Sequence, residues 1–300
     1  MSGIPAQPHI NVPVASPTMK EWSDLTEAGK IRRLRPLAET ALRQYPVEVT
    51  GIRSLGGFSN IIFRVDTPEG PLALRVDYQQ DHTDETVEIE LAWLLALGAE
   101  TDLDVAEVVP TADGRGFVYA GADGVPGERR CVLFEWIPGR TLADNLTPER
   151  YHQLGRVSAG LHVHGAGFAP PTAPMAFDRL DTSRIQVTHG DLHPWNVHVA
   201  RSRMIAFDFE DVCLAHPVQD VATTLFYERD QPHYADLRAA FEKGYRTVAE
   251  WPVSYDGELE HFMAARTVMF INYVLNLGTE PTEFYTRAFA RLEKFLENWG

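Results

Sequence analysis

The chain has 300 residues, of which 44% are hydrophobic, enough apolar matter for one large domain or two lobes with a substantial core. Its formal net charge of -15 disfavours polyanionic partners, which sets aside nucleic acid and an anionic membrane surface. Only Cys131 and Cys213 could form a bridge; both sit in apolar runs and read as small buried hydrophobes in a reducing compartment, excluding a disulfide or zinc framework.

Met1 to Pro17 carries no charged side chain and several prolines. It lacks the basic start and the continuous apolar stretch of a signal peptide, so it reads as a disordered tail over residues 1–20. No apolar run approaches the ~20 residues that span a bilayer, and the expected compartment is the cytoplasm. From Asp24 to Gln44 the spacing of Leu25, Ile31, Leu34, Leu37, Ala38, Ala41 and Leu42 predicts a helix, with Pro36 a candidate break. Val47 to Leu55, Asn60 to Asp66 and Pro71 to Val76 then read as a meander of antiparallel strands, separated by Gly56-Gly57 and Pro68-Glu69-Gly70. A helix over Thr83 to Leu97 opens on a Thr83 cap and places Val87, Leu91, Leu94 and Leu95 on one face.

Val105 to Pro110, Gly116 to Tyr119 and Arg130 to Trp136 are predicted to complete that sheet, and Ile137-Pro138-Gly139 interrupts the pattern. A lobe boundary placed there divides the chain into 21–136 and 137–300. Beyond it Thr147 to His164 opens with Thr147-Pro148-Glu149, a cap with Pro in the first position. Residues 165–184, with Pro170, Pro171 and Pro174, form a long connection. Further helices are expected near Gln219 to Tyr227, His233 to Glu250, Gly257 to Leu277 and Thr282 to Trp299.

The chemistry concentrates in His189-Gly190-Asp191-Leu192-His193-Pro194-Trp195-Asn196 and in Ile205-Ala206-Phe207-Asp208-Phe209-Glu210. Asp191 can accept the proton of an attacking hydroxyl, while a tight loop turns Asn196 back toward a divalent metal, for which its amide oxygen is a hard ligand without added charge. Val197 to Ala200, a turn at Arg201-Ser202-Arg203, and Met204 to Phe207 read as a hairpin that brings Asp208 beside Asn196 as the second metal ligand. Each of the three alone would be an ordinary turn or strand-end residue. Together, in this order, they are the set that phosphoryl transfer from a metal-bound nucleotide requires.

On these motifs the chain resembles the aminoglycoside phosphotransferase and choline kinase superfamily, relatives of protein kinases whose catalytic loop reads His-Gly-Asp in place of His-Arg-Asp. The resemblance covers residues 24–300 and is strongest between Thr188 and Asp220. It implies an α+β, two-lobed protein-kinase-like fold: an N-terminal antiparallel sheet with one key helix, and a larger, mostly helical C-terminal lobe. It also implies Asp191 as catalytic base, Asn196 and Asp208 as holders of Mg²⁺, and ATP, with GTP the alternative, as phosphoryl donor. Asp220, after the metal loop, would support the catalytic loop through hydrogen bonds.

The resemblance further assigns Gly56, Gly57 and Ser59 to a nucleotide-covering loop, where glycines let backbone N–H groups approach phosphate oxygens. Arg75 takes the place of the usual Lys that grips the nucleotide's phosphates, keeping the charge but adding a planar fork. Its carboxylate partner should be Glu90, which falls on the apolar stripe of its helix where a lone charge would be costly, with Glu88 in reserve. Backbone groups of Phe134, Glu135 and Trp136 would read the base edge. His189 and His193 bracket Asp191, but the oxygen ligands nearby favour a hard cation over a His-bound transition metal. His162 and His164 read as favourable helix C-terminal residues, and Trp93, Trp195 and Trp251 as core.

The acceptor implied is a small-molecule hydroxyl compound, and Glu210, Asp211, Glu228 and Asp230 are acidic candidates for its pocket or plain surface carboxylates. Two alternatives stand beside this reading. One is a Ser/Thr protein kinase of the bacterial stress response type, which Val218-Gln219-Asp220 resembles, although Glu210 replaces the Gly after Asp208-Phe209 and no Ala-Pro-Glu follows. The other is a nucleotide-sensing pseudokinase, suggested by Arg75.

Overall fold

In the computed structural model residues 20–170, 182–276 and 282–299 are described. The expected N-terminal tail and most of the 165–184 connection lie outside them. Helix α1 (Glu27–Leu42) starts on Thr26, whose hydroxyl accepts the Gly29 N–H at 3.2 Å. Pro36 sits inside α1 without ending it, although a proline there removes one ladder hydrogen bond. The buried face of Leu34, Leu37, Ala38, Ala41 and Leu42 carries the helix through by packing on the sheet.

That sheet is built from β1 (Gly51–Gly56), β2 (Asn60–Thr67) and β3 (Gly70–Asp77) as an antiparallel meander. In β2 the alternation of Ile61, Phe63 and Val65, all buried, sets the register, because a one-residue slip would turn all three to the other face. Helix α2 (Asp84–Glu100) follows, its first turn capped by Thr83, which accepts the Thr86 N–H at 3.3 Å.

The segment Val105 to Pro110, predicted as one strand of this sheet, is divided between two sheets. β4 (Asp104–Val105) pairs in parallel with β11 (Arg203–Ala206), a strand of the C-terminal half, whereas β5 (Val108–Val109) pairs with β7 (Arg129–Glu135). The crossing is fixed by backbone bonds in both directions, from the Ala106 N–H to the Ala206 carbonyl (3.0 Å) and from the Glu135 N–H to the Glu107 carbonyl (2.9 Å). β6 (Val118–Ala120) and β7 (Arg129–Glu135) close the first sheet in the order β1-β2-β3-β7-β5, with β6 sharing the edge of β7.

Past Ile137, β8 (Arg140–Thr141) joins a second sheet and α3 (Pro148–Gly167) begins on the Thr147 cap. β9 (Gln186–Thr188), the hairpin β10 (Val197–Ala200) and β11 (Arg203–Ala206), and β12 (Cys213–Ala215) carry the chemical motifs. The second sheet runs β4-β11-β10-β8, and β12 pairs with β9. Four helices complete the half: α4 (Pro217–Phe226), α5 (Tyr234–Tyr245), α6 (Glu258–Asn276) and α7 (Thr282–Trp299). α5 stops short of the predicted Glu250, and the Val248 and Ala249 N–H groups fold back onto the Tyr245 carbonyl.

Two cores result. One lies between α1 and the first sheet; the other joins α3 to α6 with the motif strands and also takes in Ile89, Trp93, Leu94 and Leu97 of α2 and Val105 of β4. Val87 and Leu91 of α2 also pack against Val132 of β7, so α2 is in contact with the first sheet as well as with the C-terminal core. Cys131 is buried as expected, but Cys213 is only half-buried. Burial nevertheless pushes both thiols up to about 12. Among the described residues no helix is long and apolar enough to cross a membrane.

Candidate active site

β9 delivers the chain into the loop His189-Gly190-Asp191. Gly190 has φ +83°, and a Cβ there would lie 2.0 Å from the Asp211 carbonyl oxygen, so only glycine fits this crossing. Asp220, in the first turn of α4, holds the loop from below. Its carboxylate accepts the N–H groups of Gly190 (3.0 Å) and His189 (3.3 Å) and meets His162 Nε2 at 3.1 Å. His162 is in turn fixed by the Tyr245 hydroxyl at 2.7 Å.

His189 works through its side chain as well as its backbone. Its Nε2 lies 3.2 Å from the Phe207 carbonyl and its Nδ1 accepts the Asp191 N–H at 3.4 Å, a pattern that requires the neutral ring protonated on Nε2. Burial lowers the imidazole's pKa and keeps it neutral. The ring also sits 4.3 Å from that of Phe209, locking the His189–Asp191 loop to the segment after β11 that bears Asp208.

Asp191 is held at both oxygens. His193 Nε2 is 3.1 Å from Oδ2, Arg266 donates to Oδ1 at 2.5 Å, and Asn196 Nδ2 donates to the Asp191 carbonyl (3.0 Å) and to Oδ2 (3.4 Å). Burial acts to raise the Asp191 carboxyl, but the hydrogen bond and charge of His193 and the Arg266 guanidinium outweigh it and hold it below the ordinary range. Because Asn196 spends its carboxamide nitrogen on Asp191, its oxygen is the atom left for a cation. The Phe207 N–H donates to the Asn196 carbonyl at 3.1 Å, and the next residue, Asp208, adopts φ +65°, a strained conformation for a non-glycine that packing must sustain.

Asp208 lines a cavity of about 400 Å³ together with Arg75 and Glu90. These two form a buried bidentate pair, Nη1 to Oε1 at 2.8 Å and Nη2 to Oε2 at 2.6 Å, the planar geometry that a lysine could not make. Glu88 points to solvent. Glu210 lies 3.9 Å from Arg75 Nη1 and accepts from Asn60 Nδ2 at 2.5 Å. Burial, then the charge of Glu210, push the Asp208 carboxyl far up, and burial raises that of Glu210 too.

The covering loop runs between β1 and β2. At Gly57, φ is +147° and a Cβ would fall 1.8 Å from the Asn60 carbonyl oxygen, so the turn admits no side chain. The Ser59 carbonyl pins it by accepting the N–H groups of Tyr78 (3.1 Å) and Gln79 (3.0 Å). Gly57 and Ser59 line the cavity; Gly56 does not. At the tip, the Phe58 ring meets Tyr273 of α6 edge-on at 6.5 Å, bridging the two halves.

Against this geometry, a family model described as the phosphotransferase enzyme family matches residues 50–184 and 172–253, from β1 through the catalytic loop to beyond α5. The chain belongs to the phosphotransferase enzyme family. An uncharacterized protein of Synechocystis sp. is 25% identical, with 96% of this chain and 92% of the relative covered. A microcompartment-associated aminopropanol kinase shares the fold with a TM-score of 0.70 at 24% identity, covering 87% of this chain and 94% of that one. The amicoumacin kinase hAmiN, solved with AMP-PNP, Ca²⁺ and Ami, gives a TM-score of 0.76 at 15% identity over 91% and 97%. The protein is thus an enzyme of the kinase class, with the protein-kinase-like α+β fold.

In this phosphotransferase Gly57, Ser59, Arg75, Glu90 and Asp208 line one cavity, and Asp191 and Asn196 are joined to Asp208 through the hydrogen bonds of Asn196 with Asp191 and with the Phe207 N–H. Phe134, Glu135 and Trp136 line the cavity as well, but the Glu135 N–H is already given to the Glu107 carbonyl at 2.9 Å, so it is not the amide that reads a base. Glu210 lines the cavity with Arg75, Asp211 lies 3.8 Å from His82, Glu228 is buried, and Asp230 is paired with Arg291. Other expectations are corrected. His162 is a buried mid-helix residue that braces Asp220. Trp195 is 48% exposed and faces His193 and Tyr227 edge-on at 5.6 and 5.2 Å. The roles of Arg266 and Asn60 had no signal in the sequence, because both arise from long-range contacts.

The donor set fits a hard divalent cation. Asn196 and Asp208 offer oxygens, and burial raises the carboxyls of Asp208 and Glu210, the charge of Glu210 adding to the shift of Asp208. Among the described residues no three His, Cys, Asp or Glu side chains form a self-sufficient cage, which suits an ion that keeps waters and phosphate oxygens in its shell. The Arg75–Glu90 pair also yields a stability test. Glu90→Ala leaves a guanidinium buried without its main partner and is expected to cost about 3–5 kcal/mol, read from the shift in urea midpoint at unchanged slope; Glu90→Gln, which keeps one acceptor, should cost less.

Proposed function

We propose that this phosphotransferase moves the γ-phosphoryl group of ATP to a hydroxyl of a small molecule in the cytoplasm. The observation that carries the reading is that Asp208, tied to Asp191 through Asn196 and Phe207, lines the same cavity as the buried Arg75–Glu90 pair. Arg75 would bind the nucleotide's phosphates under the loop Gly56 to Ser59. The apolar walls at Ile62, Leu94 and Phe207 would take the base, with the amides of Trp136 and Ile137 available for its edge. Asn196 and Asp208 would hold Mg²⁺. When bound, that ion neutralises charge on the phosphate oxygens.

Asp191 orients the acceptor hydroxyl for in-line attack. A bond forms from its oxygen to the γ-phosphorus as the bond to the leaving ADP oxygen breaks, and the proton passes to the carboxylate. A carboxylate held low in pKa is a weak base, so its main contribution is orientation, with the proton leaving late in a loose transition state. The AMP-PNP in the amicoumacin kinase structure and the small acceptors in the names of both structural neighbours support this reading. The protein-acceptor alternative is disfavoured because the chain passes from Asp211 through β12 straight into α4 at Pro217, with no room for an activation segment.

The test is a phosphorylation screen of a metabolite pool with mass detection, run with ATP, with GTP and without magnesium. A magnesium-dependent phosphorylated metabolite is the expected result. Labelling of proteins but of no metabolite would favour the stress-response-kinase reading, and nucleotide binding with no transfer at all would favour the pseudokinase.

A further inference from the structure

Arg266 is paired with Asp191, the group that on the reading above meets the acceptor hydroxyl. It projects from α6 and is packed by Phe270, Phe226 and Tyr227, whose ring centroids lie 5.1, 5.7 and 5.8 Å from its guanidinium carbon. Its Nη2 donates to Asp191 Oδ1 (2.5 Å) and the Tyr227 hydroxyl (3.3 Å), and its Nη1 to the Thr223 hydroxyl (3.2 Å). The Nε–H is buried with no acceptor. The guanidinium therefore retains N–H groups that the described residues do not satisfy, an arrangement that costs free energy unless a ligand completes it.

Among the described residues Asp191 is the one carboxylate with which Arg266 is paired. That carboxylate is already engaged by Arg266, His193 and Asn196, so the group beside it with hydrogen-bonding capacity to spare is the guanidinium.

We propose that Arg266 is the residue that selects the acceptor, and that the acceptor carries an oxyanion, a carboxylate or a phosphate ester, a few bonds from the hydroxyl that is phosphorylated. The proposal rests on the small-molecule reading above. The aromatic packing keeps the fork in place, so little side-chain freedom is lost on binding. The acceptor's oxyanion takes N–H groups of Arg266 and loosens its hold on Asp191 Oδ1, which then receives the hydroxyl. With two hydrogen bonds of about 3 Å meeting at neighbouring atoms, the spacing suits α- and β-hydroxycarboxylates or short sugar phosphates. This sets the chain apart from a kinase whose acceptor is an amino alcohol.

The experiment compares wild type, Arg266→Met and Arg266→Lys, with ATP and magnesium, on four acceptor panels: hydroxycarboxylates, sugar phosphates, amino alcohols and neutral polyols. Wild-type transfer should concentrate in one oxyanion-bearing panel, and which of the two responds identifies the oxyanion. Arg266→Met should raise the KM for that acceptor by about 10–100-fold, the loss of a charge-assisted hydrogen bond, with a smaller change in kcat, and Arg266→Lys should recover part of it. Magnesium-ADP binding reports that each variant is folded; should Arg266→Met fail to fold, the KM ratio between oxyanion and neutral acceptors in Arg266→Lys, lowered relative to wild type in its preference for the oxyanion, decides. Transfer confined to amino alcohols or polyols, or an unchanged KM, overturns the proposal. Transfer to no panel and to no metabolite in the wider screen overturns the small-molecule reading itself, and this proposal with it.

Discussion

Asp191→Asn is expected to lower turnover by roughly 10²–10⁴-fold while leaving magnesium-ADP affinity close to that of wild type. The substitution is isosteric, so the Asn196 and His193 contacts keep an oxygen to meet, and the nucleotide side of the cleft, built on Arg75, Glu90 and Asp208, is untouched. What is lost is the negative charge that receives the acceptor's proton and aligns its oxygen. A second consequence separates this from unfolding. Arg266 loses its one ion-pair partner, so the variant should be destabilised by about 1–3 kcal/mol, the cost of an unsatisfied buried group, with cooperative unfolding retained. Single-turnover assays and calorimetric titration with magnesium-ADP check the two halves independently, and unchanged turnover would remove Asp191 from the mechanism.

How far such a site can be read from sequence depends on how local its contacts are. The loop His189 to Asn196 and the β10–β11 hairpin are short-range units, and the hairpin alone is enough to carry Asp208 back beside Asn196. Arg75 and Glu90 are only 15 residues apart, and a charge on the apolar stripe of α2 demands a partner nearby. Arg266, by contrast, reaches Asp191 across 75 residues, and Asn60 reaches Glu210 across 150. An arginine in a helix or a glutamate after a strand reads as solvated surface until the fold buries it. The split of Val105 to Pro110 was hidden for a similar reason, since β-branched alternation suits either sheet and only the bonds of Ala106 and Glu107 reveal which. Pro36 shows the opposite case, a strong local breaker overridden by a buried face.

Asp208→Asn should abolish turnover and at the same time stabilise the ligand-free protein. Loss of a charged cation ligand in the cleft is expected to cost two or more orders of magnitude in turnover, on the order of what removing one electrostatic stabiliser costs an enzyme. The stability effect has the opposite sign because of where this carboxyl sits. Burial and the neighbouring Glu210 push it up from 3.8 to about 8 in the folded protein. Unfolding returns it to the ordinary range, so between those pH values the unfolded chain binds fewer protons than the folded one, and stability falls as pH rises. The stabilisation that protonation confers is complete below pH ~4 and is lost by the time pH has passed about 8. Asparagine has no charge to bury, so the Tm advantage of Asp208→Asn without metal should grow from pH 5 toward pH 8 and level off above it, reaching roughly 1–3 kcal/mol. Magnesium with ADP should reverse the ranking by raising the Tm of wild type and not that of the variant, because an added cation relieves the repulsion that Asp208 and Glu210 otherwise bear. Thermal melts of both proteins across that pH range, with and without magnesium-ADP, carry the whole test. A variant advantage that does not depend on pH would mean that Asp208 is uncharged or screened in the fold.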